Sequence, residues 1–358
     1  MTLSRKHYVP VIKWKQGEQK ALEALSPALK ESIIPVIEIP PIDWDFENEV
    51  PKKTIDEHLQ NFGDTLLRCW SQGAFIDLLY IDANERMMTG QHPLAYILRE
   101  ARSRKNPLIP ITCSIYDSHY NTEVVSANVV DELGAAIRIT EKDFDSLQLT
   151  IDNLLEAIQL NPDQVDLIVD YGYADPNHII RTSFFITGLI NSIPYLNKWR
   201  NLILCGTGFP KDLSGVRADT IGQIERSEWI LWKRMMQGKT AIREPIFGDY
   251  GISNPVPFEG DPRVINMSAN IRYTAEDKYI IFKGKITKRF GASQYHDLAD
   301  QVVQHPEYSG RNFSEGDLYI YEVSQSNDGP GNATNWRKAG TNHHLTYVAS
   351  ELSTLFLP

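Results

Sequence analysis

Seven ionisable residues of this chain stand at or near the carboxyl ends of six apolar runs, where charge is unusual enough to need a purpose. Lys13 and Lys15 close "YVPVIKWK", Glu38 ends the run that starts at Ile33, and Asp82 follows "FIDLLYI"; Arg138, Asp170 and Asp249 end three later runs. Carboxylates gathered at one point suit a hard divalent cation such as Mg²⁺ or Mn²⁺, or supply a general base, while lysine and arginine neutralise anionic oxygens. That is the chemistry of a metal-assisted phosphodiester hydrolase or nuclease. Its candidate catalytic residues are Lys13, Lys15, Glu38, Asp82, Arg138 and Asp170, and its candidate metal ligands are Glu38, Asp82, Asp170 and Asp249. The same residues equally suit a non-catalytic ligand pocket, or plain pairing of opposite charges, because charge clusters mark sites only statistically.

Two glycine-rich stretches add a second hint. "CGTGF" carries Gly206 and Gly208, and "GDYG" carries Asp249 and Tyr250. Glycine lets backbone N–H groups approach an anion, so these four are candidate ligand-binding residues for a phosphate. Short glycine motifs are also ordinary turn chemistry.

The elements that must position these side chains repeat one unit: a short apolar run rich in β-branched residues, a turn, then a longer amphipathic run. The expected strands are Tyr8–Lys15, Ile33–Pro40, Phe75–Ala83, Leu108–Tyr116, Ala135–Thr140, Val165–Tyr173, Asn201–Gly206 and Ile242–Tyr250. Helical patterns separate them, the one after the seventh run reading "IGQIERSEWILWKRMM". Thr140 with Asp143 resembles a capping box, and Asp175-Pro176 an N-cap followed by proline at the first helical position. Strands alternating with helices pair in parallel through right-handed crossovers, and eight repeats favour closure into an α/β (β/α)8 TIM-like barrel. In that fold the carboxyl ends of the strands carry the site. Parity places Val9, Val11, Lys13 and Lys15 on one side of their strand; Ile34, Val36 and Glu38 follow suit, as do Leu78, Tyr80 and Asp82, and Ile168 and Asp170.

After Ser253 the pattern changes. Residues 1–253 form the expected barrel and 254–358 a C-terminal α+β extension, opened by the proline-rich "SNPVPFEGDP" and a hairpin within "SANIRYTAEDKYIIFKGKI". A polar loop, "SQSNDGPGNATN", precedes a last helix that either belongs to the extension or packs on the barrel as its eighth helix. His343 and His344 stand at the expected start of that helix, with Thr341 or Asn342 as N-cap. A helix N-terminus favours neutral imidazole, able to accept a proton or bind metal. Trp336, Arg337 and Lys338 precede the pair as an aromatic and basic platform, and Arg272 lies in the same tail. Adjacent helical side chains diverge by about 100°. One histidine packing and the other capping is therefore the alternative reading of the pair.

Bulk properties narrow the partners. Of 358 residues, 42% are hydrophobic and 23% charged, and no run reaches the ~20 apolar residues of a membrane span. The start of the chain lacks the apolar stretch of a secretory signal, which points to the cytoplasm. Three separate cysteines without CxxC spacing are expected as reduced core thiols. A net charge of -10 disfavours non-specific attraction to nucleic acid but leaves room for a local basic pocket.

"YVPVIKWKQGEQKAL" and "IIPVIEIPP" near the start, with "WRKAGTNHHLTYV" near the end, resemble the bacterial and bacteriophage beta family proteins. The resemblance spans most of the chain and brings no established catalytic residues. It implies, by association with phage and mobile genetic elements, a role in phage–host conflict, that is, antiviral defence. The expected function is thus a defence protein with a phosphate- or nucleotide-type pocket at the barrel mouth, either hydrolysing phosphodiesters with Mg²⁺ or Mn²⁺ or serving as a non-catalytic accessory or sensor subunit bound to a protein partner.

Overall fold

The eight apolar runs form eight parallel strands in the computed structural model, which describes residues 2–257, 266–326 and 329–355. They are β1 (Tyr8–Lys13), β2 (Val36–Glu38), β3 (Ala74–Asp77), β4 (Leu108–Thr112), β5 (Ala135–Ile139), β6 (Val165–Tyr173), β7 (Asn201–Thr207) and β8 (Ile246–Asp249). β1 pairs with both β2 and β8, so the sheet closes as a (β/α)8 barrel and has no open edge. Val9, Val11, Val36, Phe75, Ala136 and Ile168 belong to one buried cluster, the barrel interior. Their sequence neighbours Ile12, Ile37, Ile76, Ile137 and Val169 pack in a second cluster shared with the surrounding helices. This alternation follows from the two-residue period of a strand buried on both faces.

Register then aligns the rim. Lys13 lies opposite Glu38, and Glu38 opposite Asp77, one charged residue per strand at the same height. At the other rim Arg200 grips Asp166 through Nε at 2.8 Å and Nη2 at 2.6 Å, a bidentate pair that Asn201 completes. The charge of Asp166 at the amino ends is thus paired within the structure.

The helices begin where local chemistry directs. Thr140 and Asp143 form both bonds of a capping box, and Asp175 accepts from the Asn177 amide ahead of the helix Ile179–Ser192. One expected helix begins as a strand: Thr220–Glu225 pairs antiparallel with Lys278–Ile286, and the helix starts only at Ser227. The physical reason is visible in "TIGQIE", where apolar and polar residues alternate and inner and outer burial alternates with them. Lys278–Ile286 also pairs with Ser268–Thr274, the expected hairpin, so the three-stranded sheet joins residues from both sides of position 253. Phe258–Pro262 of the proline-rich linker and Asn327-Asp328 of the polar loop lie outside the described residues.

The last helix runs Ala333–Leu355 and packs against the helix Gln16–Glu23, beside β1, in the place of an eighth outer helix. It starts nine or ten residues before the expected position. Asn332 caps it, accepting from the amides of Thr334 and Asn335, whereas Asn342 sits mid-helix and bonds Ala21 O and the Gly316 amide. His343 and His344 are therefore fully buried helix-interior residues, remote from any helix-end dipole. His344 donates from Nε2 to Asp249 at 3.0 Å and accepts at Nδ1 from the Thr274 hydroxyl at 2.9 Å. Tyr8 donates to the same carboxylate at 2.5 Å. Burial lowers the His344 pKa and keeps the ring neutral, while His344 and Tyr8 bring the Asp249 carboxyl below its usual value although burial opposes this. His343 bonds Asp317 and the Thr274 carbonyl. His344 thus docks the terminal helix on the barrel, and His343 docks it on the strand Ser268–Thr274 and the helix Glu315–Ser324. Replacing His344 with Phe removes a hydrogen bond to a buried carboxylate and is expected to cost about 2 kcal/mol in denaturant unfolding; an unchanged midpoint would deny the helix this anchor.

All three cysteines are buried and free, and no helix among the described residues is long and apolar enough to cross a membrane.

Candidate functional site

Four of the strands send an ionised or ionisable side chain to one point at the carboxyl rim. Arg138, from β5, is its centre. Nη1 donates to Asp77 at 2.7 Å and to Glu38 at 3.2 Å; Nε and Nη2 reach Asp170 at 3.0 and 2.7 Å. Tyr250, just past β8, accepts from Arg138 and donates to Asp170 at 2.5 Å, and Tyr116 donates to Asp77 at 2.5 Å. Amides complete the cage, Leu79 N to Asp77 and Gly172 N to Asp170. Glu38, Asp77, Arg138, Asp170 and Tyr250 are all buried.

Glu38 differs from its neighbours. Oε1 meets Arg138, but Oε2 is buried with no hydrogen-bond partner. A buried acceptor without a partner is costly. Burial raises the Glu38 pKa to about 7, with Arg138 and Lys13 opposing and Asp77 adding to the rise. A carboxyl that exchanges its proton near neutrality is suited to general acid–base work.

Outside the cage lies an arc of cations. Lys13 Nζ donates to the carbonyls of Asn254 and Pro255 at 2.9 and 3.2 Å, and Arg272 Nη1 to Ile252 O at 2.7 Å. Arg337 Nη1 meets the Ser253 hydroxyl at 2.9 Å and Ile252 O at 3.4 Å. Tyr80 donates to Pro255 O at 2.7 Å, so residues 252–255 form a strap across the mouth. Burial lowers the pKa of both Lys13 and Arg272; Glu38 counteracts it at Lys13, while Arg337 adds to it at Arg272. Among the described residues only Glu18, 3.5 Å from Arg337 Nε, pairs with this arc from the outer side. These cations are held chiefly by neutral peptide oxygens.

Several expected site residues stand elsewhere. Asp82 is exposed and accepts from the Asn84 amide in the third connection. β3 starts at Ala74 and ends at Asp77, so Phe75 and Asp77 point inward and the opposite parity was assumed for Asp82. The overlooked signal was "AFID", an apolar run already closed by a carboxylate. Lys15 is the exposed N-cap of the helix Gln16–Glu23. Gly206 and Gly208 do not cradle an anion: a Cβ at Gly206 would enter the Tyr171 ring, and the Gly208 amide donates to Glu228 at 2.5 Å. His343, His344 and Asp249 serve the helix dock described above.

The proposed metal ligands do not converge. Glu38 and Asp170 surround a guanidinium in the position a cation would need, while Asp82 is exposed on the third connection and Asp249 is bound by His344 and Tyr8. Among the described residues no group of three or more His, Cys, Asp or Glu side chains is arranged to hold a metal ion.

The family model described as Beta protein matches residues 8–350. No curated protein matches the chain. Among solved structures, the catalytic module of a family 98 glycoside hydrolase from Streptococcus pneumoniae TIGR4 aligns in its native form and in complex with the LewisY pentasaccharide blood group antigen. Each alignment has 13% identity and a TM-score of 0.39 and covers 70% of this chain. The chain spans 47% of those modules, about half their length, and the likeness concerns the fold alone.

Proposed function

The chain belongs to the Beta protein family, and from that premise we propose that its barrel mouth binds the phosphate of a nucleotide-type ligand and that Glu38 exchanges a proton with it during hydrolysis. One juxtaposition carries this reading. Glu38 Oε2, without a partner among the described residues, stands in the rim row opposite Lys13, whose ammonium is held, among those residues, by two strap carbonyls. Phosphate oxygens can replace neutral carbonyls on Lys13, Arg272 and Arg337 with a gain in charge-assisted bonding. Glu38, protonated in about half the molecules near pH 7, then gives its proton to a leaving oxygen or takes one from water. Arg138 keeps Asp77 and Asp170 fixed around it.

Phage–host conflict is the proposed setting, by association with the family. The strap favours a second reading, since a mouth closed by its own backbone suits a sensor or accessory subunit that holds ligand without turnover.

Calorimetry with pyrophosphate and nucleoside triphosphates, and hydrolysis of bis-p-nitrophenyl phosphate with and without Mg²⁺ or Mn²⁺, separate the cases. Lys13→Met and Arg272→Met are each expected to weaken anion binding tenfold or more. Glu38→Gln is expected to retain binding and lose turnover. Binding without turnover in the unmodified protein establishes the second reading. Silence toward every phosphate compound, or affinity indifferent to Lys13 and Arg272, overturns the anion site. Cleavage of an aryl glycoside instead would assign the carboxylates to glycosyl transfer to water.

A further inference from the structure

Beside the cage, on the far side of Tyr116, lies a cavity of about 180 Å³. Leu78, Ile81, Pro93 and Ile115 supply apolar walls, and Tyr116 and Tyr120, stacked on each other at 3.7 Å, supply aromatic surface. An apolar cavity near 150 Å³ holds one benzene, so this space takes a single small ring system and little more. Ile115 is 59% exposed at its edge, an uncovered apolar side chain where a ligand would contribute the missing contact.

Polar groups restrict the ring further. His92 accepts the Leu94 amide at Nδ1, which places its hydrogen on Nε2, a donor without a partner among the described residues. Burial lowers the His92 pKa to about 4, with Arg86 adding to the effect, so the ring stays a neutral donor and acceptor pair at any physiological pH. Asp82, also lining the cavity, uses Oδ1 for the Asn84 amide and leaves Oδ2 to accept from a ligand. A neutral donor and an acceptor carboxylate beside stacked tyrosines match a planar heterocycle with a ring acceptor and an exocyclic N–H. They do not match a bare hydrocarbon or a phosphate.

We propose that this cavity is the base subsite of the mouth, binding one nucleobase-type heterocycle between the Tyr116–Tyr120 stack and the His92–Asp82 pair. The inference rests on the nucleotide reading of the mouth and names the part of the ligand that reading leaves undefined. Tyr116 connects the two spaces: its ring lines the cavity and its hydroxyl holds Asp77, which Arg138 joins to Glu38. Occupancy of the cavity therefore bears directly on the residue that positions the cage.

The probes are the four common ribonucleosides, which lack phosphate, and pyrophosphate, which lacks a base, each titrated by calorimetry or NMR against the full chain. At least one nucleoside is expected to bind in the millimolar range. Ile115→Trp, a replacement at an exposed lip, is expected to lower that affinity at least tenfold, and Asp82→Ala about fivefold, while neither alters pyrophosphate binding. Failure of all nucleosides to bind, or affinity unmoved by Ile115→Trp, overturns the base subsite even if pyrophosphate binds in a Lys13-dependent way. Nucleoside binding lost in Ile115→Trp, with pyrophosphate inert, would uphold the cavity and sink the phosphate reading of the mouth.

Discussion

Arg138→Met is expected to lower the unfolding free energy by about 3–5 kcal/mol at neutral pH, the cost of breaking a buried ion cluster from one side. The methionine fills much of the same space, so the loss is electrostatic. Without the guanidinium, Glu38, Asp77 and Asp170 face one another inside a barrel rim where Arg138 now joins all three. Glu38, whose pKa burial already raises, loses the guanidinium that opposes the rise and so holds its proton to higher pH than in the unfolded chain. The variant's folded state then binds protons that its unfolded state has released. Its deficit should accordingly be largest above neutrality and shrink as pH falls toward 4, where the unfolded carboxyls are protonated as well. Urea unfolding at pH 4, 6 and 8 reads both features. A deficit under 1 kcal/mol, or one that grows on acidification, would show that the cage does not depend on its arginine.

Glu38→Gln is expected to act in the opposite direction on stability. Glu38 titrates at about 7 in the folded chain against an ordinary 4.5, so between those values the folded state carries the extra proton. Stability contributed by this group is present below pH 4.5 and is lost as pH rises through 7, at about 1.4 kcal/mol per pH unit at most, or about 3 kcal/mol over the window. Glutamine has no proton to lose and keeps an oxygen for Arg138. The variant should match the parent at pH 4 and exceed it by up to about 3 kcal/mol at pH 8. Glu228, raised to about 7 by its own burial, titrates alike in both proteins and cancels from the difference. A difference independent of pH would remove Glu38 from the proton-exchanging role and leave it a structural partner of Arg138. A stabilising substitution that abolishes turnover is the expected mark of a group kept for function against its cost to the fold.

Legibility differed from element to element. Glu38 and Asp170 are legible as inward residues because alternation along β2 and β6 places them with Val36 and Ile168, and Arg138 is legible as the charge that ends its apolar run. In the third run the same rule selected Asp82 over Asp77, since "AFIDLLYIDA" offers two carboxylates and only hydrogen bonding to the neighbouring strands ends β3 at Asp77. The histidine pair was visible as a pair, but Asn342 looked like a cap until Ala21 and Gly316 supplied partners from remote segments. Tyr116 reaches the mouth from a connection and its spacing announces nothing of it, whereas Tyr80 and Arg337 are singled out by parity and by the basic platform, without the strap they hold.

By itself the sequence determined the eightfold alternation, the parallel barrel it implies, and the rim at which charge would gather, because those follow from local periodicity and from the exclusion of charge from a strand buried on both faces. The tertiary structure alone decided that Arg138 fills the centre of the carboxylates, that Asp249 and His344 bind the last helix instead of a ligand, and that the strap lies over Lys13. The physical reason is one of range: periodicity acts over a few residues, whereas each of these pairings joins groups at least 32 positions apart and depends on which charge finds which partner once water is gone.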